Sequence, residues 1–179
     1  MRRVQVLALG NADRGDDGLG PAVAARLRGG LPAGVELRVC GGDALGLIEG
    51  WAGLAALICV DASAPAGEPG CIRRLEPAMD ELVAEPAPAS CHGFGLAEAL
   101  ALARVLGLAP PQLVVYAVEG RSFRIGAPLS AEVAAAVEAV AGRILGEVGR
   151  LLRPAEAGEE EPCAGEPGPI PEASVRRDA

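Results

Sequence analysis

Val4-Gln5-Val6-Leu7-Ala8-Leu9-Gly10-Asn11-Ala12-Asp13-Arg14-Gly15-Asp16-Asp17-Gly18-Leu19-Gly20 is the stretch on which the fold turns. Its first six residues form an apolar run cut off by Gly10-Asn11, the pattern of a buried strand entering a loop. From about Gly18 to Leu27 the chain reads as a helix. Pro21 fits its first turn, where backbone N–H groups have no intrahelical acceptor, and Gly29-Gly30 ends it.

Downstream the alternation of strand and helix continues. Val35 to Val39 has period two, which predicts a half-exposed strand near a sheet edge. Ala44 to Gly50 can form a short helix. Leu54 to Val60 is continuously apolar and ends at Asp61, like a central parallel strand delivering a carboxylate at its C-terminal end. Cys71 to Leu75 reads as a weaker strand, and Glu76 to Ser90 holds three prolines and no clear period. Gly93 to Leu108 is the clearest helix, with Leu96, Leu100 and Ala103 at helical spacing and Gly107 as its stop. Leu113 to Val118 is another buried strand. Leu129 opens a last helix to about Leu152, with Ser130 placed to cap it. This order predicts a three-layer α/β/α sandwich with a mostly parallel sheet over residues 1–153. In such a sheet ligands gather outside the carboxyl ends of the strands.

Composition narrows the class. Half of the 179 residues are apolar, almost all of them aliphatic, enough for one continuous core. Every one of the 16 basic residues is Arg. From Pro154 onward seven acids face only Arg176 and Arg177, so this tail carries −5 of the formal −8. Its prolines, glycines and acids predict a disordered extension over 154–179. The body has no basic stripe for a phosphate backbone, which argues against nucleic acid as a partner. Five unpaired-looking cysteines and no leader-like N-terminus predict a reduced, cytoplasmic setting. No apolar stretch reaches the roughly 18–20 residues of a membrane span, and a monomer without membrane insertion is expected.

Three features carry chemistry. The loop Gly10 to Gly20 packs three acids between a strand and a helix, where Asp16 or Asp17 could cap the helix and meet its dipole. It is not a phosphate loop, because that pattern needs a Lys. Asp61 closes an apolar strand, either as a functional carboxylate or as the start of a turn. His92, the single histidine, follows Ser90-Cys91 at the head of the clearest helix. Two carboxylates and an imidazole on one sheet edge suit a borderline divalent cation such as Ni²⁺ or Zn²⁺. With one histidine, an H-E-x-x-H zinc-peptidase motif is excluded. No Ser-His-Asp or Cys-His pair can be assigned: Cys91 is beside His92, but adjacent side chains seldom point together.

Leu9-Gly10-Asn11, Arg14-Gly15-Asp16-Asp17-Gly18-Leu19-Gly20, Val60-Asp61-Ala62 and His92-Gly93-Phe94-Gly95-Leu96-Ala97-Glu98-Ala99-Leu100, in that order, resemble the hydrogenase maturation proteases over about residues 3–150. The resemblance implies a five-stranded sheet whose fourth strand is antiparallel. It implies an endopeptidase that removes the C-terminal extension of a nickel-iron hydrogenase large-subunit precursor, with nickel supplied by that precursor. By position its metal ligands, and its candidates for catalysis, are Asp17, Asp61 and His92, with Asp16 the alternative to Asp17. The acid that relatives carry before the Gly-Gly of the second loop is replaced by Cys40, and Asp43 is the nearest substitute. A nickel-dependent checkpoint protein, or a peptidase of the same fold with another substrate, would use the same three residues.

Overall fold

The computed structural model describes residues 2–41, 45–76 and 96–153. Strand β1 (Val4–Leu9) is buried along its whole length. It is followed by a 3-10 turn (Gly15–Gly18) and helix α1 (Leu19–Leu27). Strand β2 (Val35–Cys40), a 3-10 segment (Leu45–Trp51) and strand β3 (Ala56–Ser63) come next. Strand β4 (Ile72–Leu75), helix α2 (Leu96–Val105), strand β5 (Gln112–Glu119) and helix α3 (Ala131–Leu152) complete the described chain.

The five strands lie in the order β2-β1-β3-β5-β4, all parallel except β4, which runs antiparallel to β5. The predicted sandwich and its antiparallel fourth strand are both present. β2 is the edge strand that its alternation predicts, while β1 and β3 are covered on both faces and therefore lack alternation.

Two core clusters lie on opposite faces of the sheet. Val4, Val6 and Ala8 of β1 and Ala56, Ile58, Val60 and Ala62 of β3 pack with α1 and α3. Leu7 and Leu9, with Leu57 and Cys59, pack with Trp51 and with Ala99, Leu100 and Ala103 of α2. The period of two along each strand thus sorts its side chains between the two helical layers. On α3, Val133, Ala136, Val140, Ile144, Val148 and Leu151 recur at helical spacing and are buried. Each large aliphatic side chain buried this way is worth roughly 1.5–3 kcal/mol.

The short helix expected over Ala44–Gly50 is present in its described part as a 3-10 helix, Leu45–Trp51, and three local expectations change. The third strand begins two residues later than its apolar run and continues through Asp61 to Ser63, because β5 pairs with it that far. Asp61 therefore lies inside a strand rather than closing one. Neither Asp16 nor Asp17 caps α1: the helix follows directly from the 3-10 turn, its N-cap is Gly18, and no side chain caps it. Ser130 does occupy the N-cap of α3, but its hydroxyl makes no cap hydrogen bond. Gly107, at φ +68°, stops α2 as read from sequence. The acidic tail lies outside the described residues.

Edge strand β4 is fixed to α3 by charge. Arg74 Nε donates to Glu147 Oε2 at 2.9 Å, and Tyr116 Oη donates to the same oxygen at 3.2 Å. Arg150 pairs with the other carboxylate oxygen of Glu147.

Candidate active site

Chain order makes one place in this sheet special. From β1 the chain moves outward to β2, then returns to the other side of β1 as β3. The connections therefore diverge at the carboxyl ends of β1 and β3, the place where sheets of this order bind ligands. Pairing of Ala8 with Val60 puts Asp61 one step beyond the last β1–β3 pair. The 3-10 turn holding Asp16 and Asp17 packs against β3 at this same end. Asp17 and Asp61 thus belong to one edge of the sheet.

Asp17 is fully buried, and its Oδ2 accepts the N–H of Asn11 at 3.2 Å. The loop can fold this closely over Asp17 because residue 10 is Gly. Its φ is +127°, and a Cβ there would fall 1.9 Å from the Asp17 carbonyl oxygen.

Asp61 is 7% exposed, and its Oδ1 accepts the N–H of Ala62 at 2.8 Å. Leu57 and Cys59 sit in the α2-side core, so the alternation assigns Asp61 to that side too. This is the layer of the helix that His92 precedes in sequence. His92 and Cys91, like Asp43, lie outside the described residues. Among the described residues no three His, Cys, Asp or Glu side chains form a group that could hold a metal ion. Cys59, two residues before Asp61, is no nucleophile. Burial, reinforced by the Asp61 charge, raises its thiol far above neutral pH.

Asp16 has a different job from its neighbour. It is fully buried and accepts four hydrogen bonds: from the N–H of Arg121 (2.7 Å), Ser122 (2.9 Å) and Ser130 (2.6 Å) and from the Ser130 hydroxyl (3.0 Å). Burial alone would raise its pKa, but these donors outweigh it and hold the carboxyl below the usual range. Asp16 therefore fastens the turn of Asp17 to the β5–α3 loop. That occupation of both its oxygens separates it from the role considered for Asp17.

Glu119 repeats the device on the other side. Its side chain is 1% exposed, and Oε1 accepts the N–H groups of Ala66 (2.6 Å), Gly67 (2.6 Å) and Glu68 (2.7 Å). Arg73 reaches Oε2 at 3.4 Å. Burial opposes the charge, yet the three N–H donors keep this carboxyl low as well. The segment after Asp61 is thereby pinned. Sequence reading passed over Glu119, although it ends an apolar run before a Gly, as Asp61 ends the apolar run Leu54–Val60 in the sequence.

Asp16, Glu119 and Glu147 all hold folded pKa values below their ordinary ones. Their charged forms favour the fold, so the stability they add is complete above the usual carboxylate range near pH 4. It is lost as pH falls through the folded values. Urea midpoints should hold between pH 7 and about pH 5 and drop steeply below about pH 4. A midpoint unchanged at pH 3 would contradict these assignments.

Comparison with known proteins shows the family of the chain. The family described as hydrogenase maturation protease matches residues 28–147, two thirds of the chain, a range that includes Asp61 and His92 and begins after Asp17. No match was found among curated protein sequences. The structure is similar to the hydrogenase maturating endopeptidase HybD from E. coli, at 25% identity and a TM-score of 0.71, over 83% of this chain and 93% of that one. It is similar also to a [NiFe] hydrogenase maturation protease HybD from Thermococcus kodakarensis, at 25% identity and a TM-score of 0.68, over 82% and 99% of the two chains. A hydrogenase 2 maturation peptidase from a Thaumarchaeota archaeon is 29% identical, with a TM-score of 0.63 over 83% and 99%.

Proposed function

Since the chain belongs to the hydrogenase maturation protease family and is by that membership a peptide-bond hydrolase, we propose that it removes the C-terminal extension of a nickel-iron hydrogenase large-subunit precursor after nickel insertion. The observation that carries this reading is the pair of buried carboxylates, Asp17 and Asp61, at the switch point of the sheet. Buried carboxylates on one edge would offer negative charge to a cation brought by the substrate. Nickel in the precursor, ligated in addition by Asp17, Asp61 and His92, would fix the scissile peptide against this edge. The charge held there can polarise the scissile carbonyl or assist a water. The enzyme acts as a cytoplasmic monomer in this reading, and no described helix is long and apolar enough to cross a membrane.

Incubation with the nickel-loaded precursor encoded in the same genome tests it. A mass loss equal to the C-terminal extension is expected. Tight binding of that precursor without any mass loss would favour a checkpoint protein instead.

The nickel in this scheme arrives with the substrate, because three protein ligands leave its coordination incomplete. The purified chain should therefore retain less than stoichiometric nickel or zinc after chelator treatment and desalting. Elemental analysis finding one tightly held ion per chain would point to a self-contained metallopeptidase.

A further inference from the structure

Asp61 stands on the part of β3 with the least support from the sheet. Strand β1 pairs with β3 as far as Val60, so from Asp61 to Ser63 the ladder partner among the described residues is β5 alone. The two strands end together, Ser63 in register with Glu119, and the Gly120 N–H donates to the Ser63 carbonyl at 2.9 Å. The end of a ladder is where a strand opens most easily, and here Asp61 lies two residues from it. Leu113 and Val115 of β5 pack on the α2-side core, so alternation puts Glu119 on that face too, the face of Asp61.

Glu119 closes this end with its backbone and its side chain together. Its N–H donates to the Cys71 carbonyl at 3.0 Å, and its carbonyl accepts the Gly70 N–H at 2.7 Å. Its Oε1 gathers the N–H groups of Ala66, Gly67 and Glu68, while Arg73 on β4 reaches Oε2. The connection from Ser63 to Gly70 also carries Pro65 and Pro69, which have no N–H to give to any other partner. The chain leaving β3 is thus wrapped around one carboxylate, and that carboxylate belongs to the register partner of the residue at which β3 ends. Without it three N–H groups lose their acceptor at once.

We propose that Glu119 is a positioning residue for precursor processing: by holding the β3–β4 connection it keeps the last three residues of β3 on β5 and thereby fixes Asp61 at the site. This rests on the proposed peptidase function and adds to it a residue that touches neither the substrate nor the cation. A ligand displaced by a fraction of its length still binds weakly but no longer sets the scissile bond in line, so the loss falls on kcat.

The test uses the full-length chain with two readouts, steady-state processing of nickel-loaded precursor and native-state hydrogen exchange at residues 61–63. Glu119→Leu removes the acceptor; it is expected to lower kcat about 10–100-fold, the range for residues that support a metal ligand, and to speed exchange at 61–63. Glu119→Gln keeps an oxygen for the three N–H groups and should recover part of both, which keeps the test open if the Leu variant folds poorly. Glu147→Gln is the control. It weakens the latch between β4 and α3 on the opposite face, so it should lower melting temperature with kcat and exchange at 61–63 unchanged. Wild-type kcat in both Glu119 variants, or an equal fall in Glu147→Gln, would overturn the positioning role and leave the peptidase reading intact. Faster exchange at 61–63 in the Glu119 variants of a chain whose wild type cleaves no precursor would sink the peptidase reading and keep the hold on Asp61.

Discussion

Asp61→Asn should lose more than about a hundredfold in precursor processing, exceeding the loss usual for residues that merely support a metal ligand, while its melting temperature holds or rises. The two halves of that expectation have separate causes. An amide keeps the shape of the side chain and an oxygen to accept the Ala62 N–H at 2.8 Å. It also removes the cost of a buried charge, since Asp61 is only 7% exposed. What it cannot keep is the negative charge that would hold a cation. Asp17→Asn should behave likewise, with its fold-supporting contact to the Asn11 N–H preserved. His92→Ala should abolish processing as well, with the fold nearly intact. A histidine that serves structure alone would give the opposite pattern, a stability loss of roughly 1–3 kcal/mol with cleavage remaining in the folded fraction. Thermal melts run beside the precursor assay separate these outcomes. Near wild-type processing by any of the three variants would remove that residue from the proposed ligand set.

Asp16→Ala carries the second large effect, and there stability should fall first. The substitution strips the acceptor from three backbone N–H groups and a hydroxyl at once. Hydrogen bonds to a charged group are worth more than neutral ones, and donors left buried without a partner incur their desolvation cost. A loss of about 3 kcal/mol or more is expected from urea unfolding at pH 7. Asp16→Asn should fall between, because an amide turns one oxygen into a donor facing donors. The difference between wild type and Asp16→Ala should shrink as pH falls, since protonation weakens the same latch in the wild type. A change below about 1 kcal/mol at pH 7 would mean that the β5–α3 loop is held by its other contacts.

Asp17 and Asp16, one in each prediction, are adjacent aspartates that sequence reading treated as alternatives. Nothing in the residue types distinguishes Asp16 from Asp17, and a capping role was open to either. Tertiary structure separates them: one carboxylate faces donors from residues more than a hundred positions away, the other turns back onto Asn11. Ser130 shows the same limit. Its position at the head of α3 was legible, yet its hydroxyl serves Asp16 rather than its own helix.

The sandwich itself was readable because its signals are local. Apolar runs at Val4–Leu9, broken only by Gln5, and at Ala56–Val60 of β3 mark strands buried on both faces, and the spacing of buried residues on α3 marks a helix with one apolar side. Chain order also pointed to the strand ends as the place to look for a site, with Asp17, Asp61 and His92 as candidates. The true reach of β3 was not local, because pairing with β5 extends it past Asp61 to Ser63. Nor were the two carboxylate latches, Asp16 and Glu119. A buried charge is stable only where donors converge on it, and here those donors are backbone N–H groups. Every residue but proline has such a group, so their convergence leaves no mark in the sequence and is decided only when the loops meet in three dimensions.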